Sequence, residues 1–228
     1  MTRAAGACDN LFASFFLSHP RRWGVLRGVT EQAAGPEPSP EREQVDRLRR
    51  GDSAAFDRVY ATFHPRLFSF LLRLSGRRDT AEDLAQETWI RLAKAAPTLR
   101  EDTNLAPFLF TIARNAFLSH RRWAMLDLSR IVTFGLEAMS SAATESTPET
   151  DHERARAIAL LEAALQQIPL ASREVLLLVG VEGMEQDEVA RVLGLSYDAL
   201  RQRLSRARSQ LAETMTRIEK KQSQRLPT

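Results

Sequence analysis

A single cysteine, Cys8, stands among 228 residues, which excludes an internal disulfide and any cage of thiolate ligands and fits a reducing cytoplasm. Long apolar runs are missing as well. No stretch approaches the ~18–20 residues that a membrane-spanning helix needs, so membrane insertion is not expected. The histidines His19, His64, His120 and His152 are scattered and never take a metal-ligand spacing, so no metal and no cofactor are expected. The two-residue alternation of strands is nowhere sustained, and no internal repeat is visible. Nor does one sign of charge dominate: the formal net charge of +3 is too small to name a partner. Its distribution is more informative, because residues 196–228 hold eight Lys and Arg against three Asp and Glu. At 43% hydrophobic and 27% charged the chain has the composition of a globular protein.

What is present divides into segments. Residues 1–38 carry Phe12, Phe15, Phe16 and Leu17 between Asp9 and the pair Arg21-Arg22, the reverse of a secretory signal. They read as a poorly ordered extension, with a regulatory arm or a translation start further downstream as alternatives. Gly35, Pro36, Pro38 and Pro40 form a linker, and Ser39 with Pro40 suits a helix start. A helix to Arg50 is expected, then a second from Asp52 with Ala55, Phe56, Val59, Tyr60 and Phe63 on its apolar side. A further helical piece over 66–74 ends at Gly76. Residues 129–151 lose periodicity around Ser140, Ser141, Thr144 and Pro148, an interdomain linker. Helical spacing resumes with Ile158, Leu161, Leu165 and Ile168; Pro169 interrupts, Ser172 is expected to cap the next helix, and Gly180 and Gly183 to turn the chain. The expected fold is all-α. A helical domain over 39–128 and another over 152–214 are joined by the flexible linker, with a basic tail over 215–228.

Two neighbouring segments of the first domain have opposite character. The acidic one places Asp79 and Glu82 at capping-box spacing and buries Ala81, Leu84, Ala85, Thr88 and Leu92. Glu82, Asp83, Gln86, Glu87 and Arg91 are left outside, a surface that repels nucleic acid and suits a protein partner. The next segment, capped by Asn104 or Thr103, interleaves Phe108, Phe110, Phe117 and Trp123 with Arg114, Arg121 and Arg122. Flat rings stack on unpaired bases while arginines hold phosphates, and the loop through Asp102, Thr103 and Asn104 can surround an extruded base. Burial of some of these rings in the core is the competing expectation.

Residues 186–205 have the pattern of a helix-turn-helix. Val189 and Leu193 pack the first helix, Ala190 is small at the crossing, Gly194 makes the turn, and Leu195 plugs the core. Ser196 caps the second helix, whose Leu200, Leu204, Ala207 and Leu211 face inward. Arg201, Gln202, Arg203, Ser205, Arg206 and Arg208 face out. Arg suits guanine, Gln suits adenine, and both grip phosphate, so this helix is a major-groove reader.

Several of these motifs together resemble the extracytoplasmic-function group of bacterial sigma-70 factors. Phe56 with Tyr60, the run from Asp79 through Glu82, Asp83, Leu84, Gln86 and Glu87 to Thr88, and Phe108 through Asn115 are similar to that family's domain 2. Leu165 to Pro169, Arg173 to Leu177 and the helix ending in Arg206 and Arg208 are similar to its domain 4. The resemblance implies a factor that binds core RNA polymerase and directs promoter-specific initiation. Asp79, Glu82, Asp83, Gln86, Glu87 and Arg91 would meet the β′ clamp helices, and the β subunit would be a further contact. Thr103, Asn104, Phe108 and Arg114, with Asn115, Arg121, Arg122 and Trp123, would recognise and melt the −10 element. Tyr197, Asp198, Ala199 and Arg201, with Gln202, Arg203, Ser205 and Arg206, would read the −35 element. An anti-sigma factor is a further implied partner.

The chain departs from the family at two places. Asp198 and Ala199 stand where Gly-Thr is frequent, and Phe108 where Trp is frequent. A stand-alone helix-turn-helix regulator is the alternative, but it would carry a ligand-binding or receiver domain instead of an acidic docking face. An enzyme is not expected, because the carboxylates of the acidic helix lie beside no candidate nucleophile.

Overall fold

The computed structural model describes residues 40–130 and 150–224; the expected extension over 1–38 lies outside that range, as does the expected linker except for its ends, 129–130 and 150–151, which are helical. Every regular element among the described residues is helical. Helix α1 (Pro40–Arg49) buries Val45 and Leu48 and gives way to Gly51, whose φ of 74° permits a sharp turn. Asp52 then caps α2 (Ser53–Ser75), its carboxylate accepting from the N–H groups of Ala54 at 2.9 Å and Ala55 at 3.2 Å. The Arg47 guanidinium, and next the Ala55 N–H, hold the Asp52 carboxyl below its usual range.

Expected as two helical pieces, α2 is one helix that runs through Pro65. Proline removes one intrahelical N–H, at a cost of about 3 kcal/mol in a helix interior. Val59 before it and Leu67, Phe70, Leu71 and Leu74 after it are all buried, and that shared packing outweighs the missing bond. Helix α3 (Arg78–Ala95) buries the anticipated stripe of Ala81, Leu84, Ala85, Thr88 and Leu92, with Trp89 added. The expected capping box does not form. The helix begins at Arg78, so Asp79 lies inside its first turn, where Arg77 and the Thr80 N–H bind it. Glu82 instead accepts from Arg78. After a 3₁₀ turn at Ala96–Thr98, α4 (Leu105–Arg130) packs against α2 and α3 to close the first bundle. Phe70 and Phe110 meet edge to face at its centre, 5.2 Å apart.

The second bundle starts with α5 (Thr150–Gln167), whose inner face holds Ala164 and Leu165; Ile158, expected inside, is 41% exposed. Helix α6 (Leu170–Leu176) begins directly after Pro169. Ser172 is therefore inside it and donates to Gln210 Oε1 at 2.7 Å rather than capping. A π turn at Leu177–Val181 follows, closed by Glu182 N–H to Leu177 C=O at 2.9 Å, and Gly183 reverses the chain at φ 64°. Helices α7 (Gln186–Leu193) and α8 (Tyr197–Ser223) complete the bundle. The two bundles pack on each other, α4 against α7 and α2 against α5 and α6.

Candidate nucleic-acid interface

The turn between α7 and α8 is built as the sequence implies. Gly194 takes φ 66°, a conformation that a side chain would strain. Ser196 Oγ accepts from Ala199 N–H at 3.2 Å and starts α8. Val189, Ala190, Leu193, Leu200, Leu204, Ala207 and Leu211 are buried. Val192 joins them although it was not singled out, and Leu195, expected as a plug, is only half-buried. On the outer face Asp198, Arg201, Gln202, Ser205 and Arg206 are exposed, and Tyr197 is 50% exposed. Ala199 and Arg203 are half-buried, so Arg203 presents less of itself than its neighbours. One side of α8 thus offers two exposed arginines, a carboxamide and a hydroxyl over two turns.

The aromatic and basic segment divides. Phe110 and Phe117 are buried, so these two rings belong to the core and not to a stacking surface. Their positions on the inward stripe with Leu109, Ala113 and Ala116 are the signal that separates them. Phe108 is half-buried, whereas Trp123 is 68% exposed beside exposed Arg121 and Arg122. Asn115 is exposed and Thr103 half-buried. Asn104 caps α4 by accepting from Ala106 N–H at 3.2 Å. The Arg100 guanidinium, 3.0 Å from Asp102, holds that loop carboxyl below its usual range.

Arg114 is not available in the same way. Its Nε lies 2.9 Å from Glu174 Oε1 of α6, and the Asn104 amide donates to Glu188 Oε1 of α7 at 2.6 Å. Nothing in the sequence pairs residues 60 and 84 positions apart, and this engagement was not foreseen.

On α3, Glu82, Asp83, Gln86, Glu87 and Arg91 are exposed together. Arg78 pairs with Glu82 at 2.9 Å and Arg91 with Glu87 at 2.6 Å, which tempers the negative potential. Arg77 holds the Asp79 carboxyl well below the usual carboxylate range, so it stays ionised. Ile90, 48% exposed in the middle of this face, was missed; its departure from the buried stripe marks it. Beside it, Trp89 Nε1–H donates to His64 Nδ1 at 3.1 Å, and Tyr60 stacks on that imidazole at 4.5 Å. The result is a polar face with an apolar centre, the anatomy of a protein contact.

Comparison with known proteins finds matches in both bundles. Residues 59–124 match the family described as Sigma-70 region 2, and residues 158–211 match Sigma-70, region 4. The chain is 32% identical to the ECF RNA polymerase sigma factor EcfG of Rhodopseudomonas palustris (strain TIE-1), over 65% of this chain and 78% of that protein. It is also 32% identical to the RNA polymerase sigma factor CarQ of Myxococcus xanthus, over 77% of this chain and 97% of the relative. Among solved structures, RpoE in complex with the anti-sigma factor NepR from Bartonella quintana is 25% identical, with a TM-score of 0.61 over 71% of this chain and 96% of that one. CnrH in complex with the cytosolic domain of CnrY, 24% identical with a TM-score of 0.55 over 77% and 97%, shares the fold.

Proposed function

Since the chain belongs to the extracytoplasmic-function group of the sigma-70 family, which directs promoter-specific initiation by core RNA polymerase, we propose a division of labour among its surfaces. The exposed face of α3, from Asp79 through Glu82, Asp83, Gln86 and Glu87 to Arg91, docks on the β′ clamp helices, with Ile90 as its apolar centre. The loop before α4 and the outer side of that helix, from Thr103 to Trp123, take the melted −10 strand. Trp123 stacks on a base while Arg121 and Arg122 hold phosphates. The start of α8, from Tyr197 to Arg206, enters the major groove at −35. Asp198 there repels phosphate and accepts from a cytosine amino group, so this factor prefers a −35 sequence of its own.

The observation that carries this reading is the order of the two matched regions, each bearing its exposed arginines on a helix that a packed bundle holds rigid. The family's members are initiation factors without catalysis of their own, and this chain acts in the same way. Its acids on α3 pair with neighbouring arginines on an open surface instead of lining a cleft. It works where polymerase works, in the cytoplasm; among the described residues no helix is long and apolar enough to cross a membrane. An anti-sigma factor restrains it, as the RpoE complex with NepR suggests by likeness.

Run-off transcription with core polymerase and fragmented DNA from the source genome tests the proposal. New starts that depend on this protein, sharing two upstream elements, are the expected result. DNA binding without new starts would favour the stand-alone regulator.

A further inference from the structure

Arg66 turns one side of α2 into the seam between the two bundles, where it meets Glu182 at 3.0 Å. Two residues along a helix is about 200° around it, so His64 lies on another side. There α2 carries Phe56, Tyr60, His64 and Phe68 at intervals of four, a spacing that sets four rings in one row along the helix. Tyr60 stacks on the His64 imidazole at 4.5 Å and 16°, and the Phe68 ring lies 6.4 Å from the same imidazole. Trp89 of α3 closes against the row, 4.8 Å from Tyr60 and 5.9 Å from Phe56. At the far end the Arg78 guanidinium lies 5.6 Å from the Phe68 centroid and pairs with Glu82.

The hydrogen bond inside this row fixes more than packing. Trp89 Nε1–H donates to His64 Nδ1 at 3.1 Å, so the proton of the neutral ring is carried on Nε2. Among the described residues no group accepts from Nε2, and that atom is open to solvent. The half-buried imidazole thus presents an N–H donor outward while three aromatic neighbours hold it in place. Trp89 is followed by Ile90, 48% exposed, and exposed Gln86 and Ala93 lie about one turn to either side. The aromatic row on α2 is therefore continuous with the exposed face of α3.

We propose that core polymerase docks on both helices and that His64 is a specificity-determining contact: its Nε2–H donates to a carbonyl or carboxylate oxygen of the polymerase, in a setting that Tyr60 and Ile90 shield from water. This rests on the docking role given above to α3. The carboxylates of Glu82, Asp83 and Glu87 accept hydrogen bonds and cannot donate them. His64 gives the α2 side of the face the opposite polarity, so the pairing has a direction. A partner that sets a donor or a cation against the imidazole is rejected.

Two replacements in the full chain separate this role from simple support of Trp89. An asparagine amide oxygen falls near the place of Nδ1, so His64→Asn keeps an acceptor for Trp89 and removes the donor. A glutamine amide nitrogen falls near the place of Nε2, so His64→Gln keeps the donor and releases Trp89. Affinity for core polymerase, read by competition with labelled parent protein, is expected to fall about three- to tenfold in His64→Asn, the worth of one hydrogen bond. His64→Gln should stay nearer the parent. Stability should run the other way, because His64→Gln strands the indole N–H of Trp89, which is only 6% exposed, and its urea midpoint should lie below that of His64→Asn. Weaker capture by His64→Gln than by His64→Asn would make His64 a mere support and overturn the proposal, as would equal affinity in all three proteins. Self-association of the parent that His64→Asn abolishes, with capture unchanged, would give the face to a second copy and overturn it too. The α3 reading fails on its own if Glu82→Lys with Glu87→Lys leaves capture intact while His64→Asn weakens it.

Discussion

Two aromatic residues on one helix show how position decides role. Phe110 is fully buried against Phe70, and its replacement by Ala removes the centre of the first bundle. Phe110→Ala should cost about 3–5 kcal/mol in urea unfolding. Trp123, 68% exposed, should change stability by no more than about 0.5 kcal/mol on replacement by Ala. The same change should weaken binding of an unpaired −10 strand by roughly 1–3 kcal/mol, read by fluorescence anisotropy. Arg201 on α8 is exposed, and Arg201→Ala should reduce affinity for the −35 duplex by about 1–3 kcal/mol if a base edge is its partner. At Gly194 a Cβ would meet nothing within 4 Å, so the penalty for Gly194→Ala comes from φ +66° alone. Roughly 1–2 kcal/mol of lost stability is expected there.

Whole helices answer a different set of questions. Reversing charge on α3 with Glu82→Lys and Glu87→Lys should impair capture by core polymerase and leave −35 duplex binding intact. Co-elution with polymerase and a gel shift measure the two separately, and loss of both would end the division of labour. Elements were also where the sequence was most readable. The inward stripe of α3 and the turn between α7 and α8 follow from residues three and four apart, a range over which spacing determines which face is buried. The boundaries that failed had non-local causes. Pro65 looks like a stop until Leu67, Phe70 and Leu71 are found packed beyond it. Ser172 looks like a cap until Gln210, 38 positions away, takes its hydroxyl. For the site, the sequence left open which rings are buried; the structure buries Phe117 and exposes Trp123, and local spacing gave no hint that Arg114 would meet Glu174.

At the scale of the molecule, pH reads the seam. Burial pushes the Glu182 carboxyl above its ordinary value of 4.5, against the opposing pull of Arg66. The folded state therefore holds this proton more tightly than the unfolded state. Its contribution to stability is full below 4.5 and is lost as pH rises through the raised value. Asp79 runs the other way, because Arg77 lowers its pKa below 3.8; that contribution is present above 3.8 and lost as pH falls. Urea midpoints measured across mildly acidic pH should decline with rising pH above 4.5 in the parent protein, and Glu182→Gln should flatten that decline. An unaltered slope in the variant would locate the proton elsewhere.

The contacts that join the bundles span 116 positions for Arg66 and Glu182 and 60 for Arg114 and Glu174, whereas those that build each bundle are nearer neighbours in the chain. A ribosome adding about 5–20 residues per second needs on the order of ten seconds to pass from the end of α4 to the end of α8. For that interval the first bundle can fold with Arg114 and Asn104 uncovered and the face of α3 already formed. A half-made chain therefore leaves Arg114 and Asn104 open until α6 and α7 emerge to meet them.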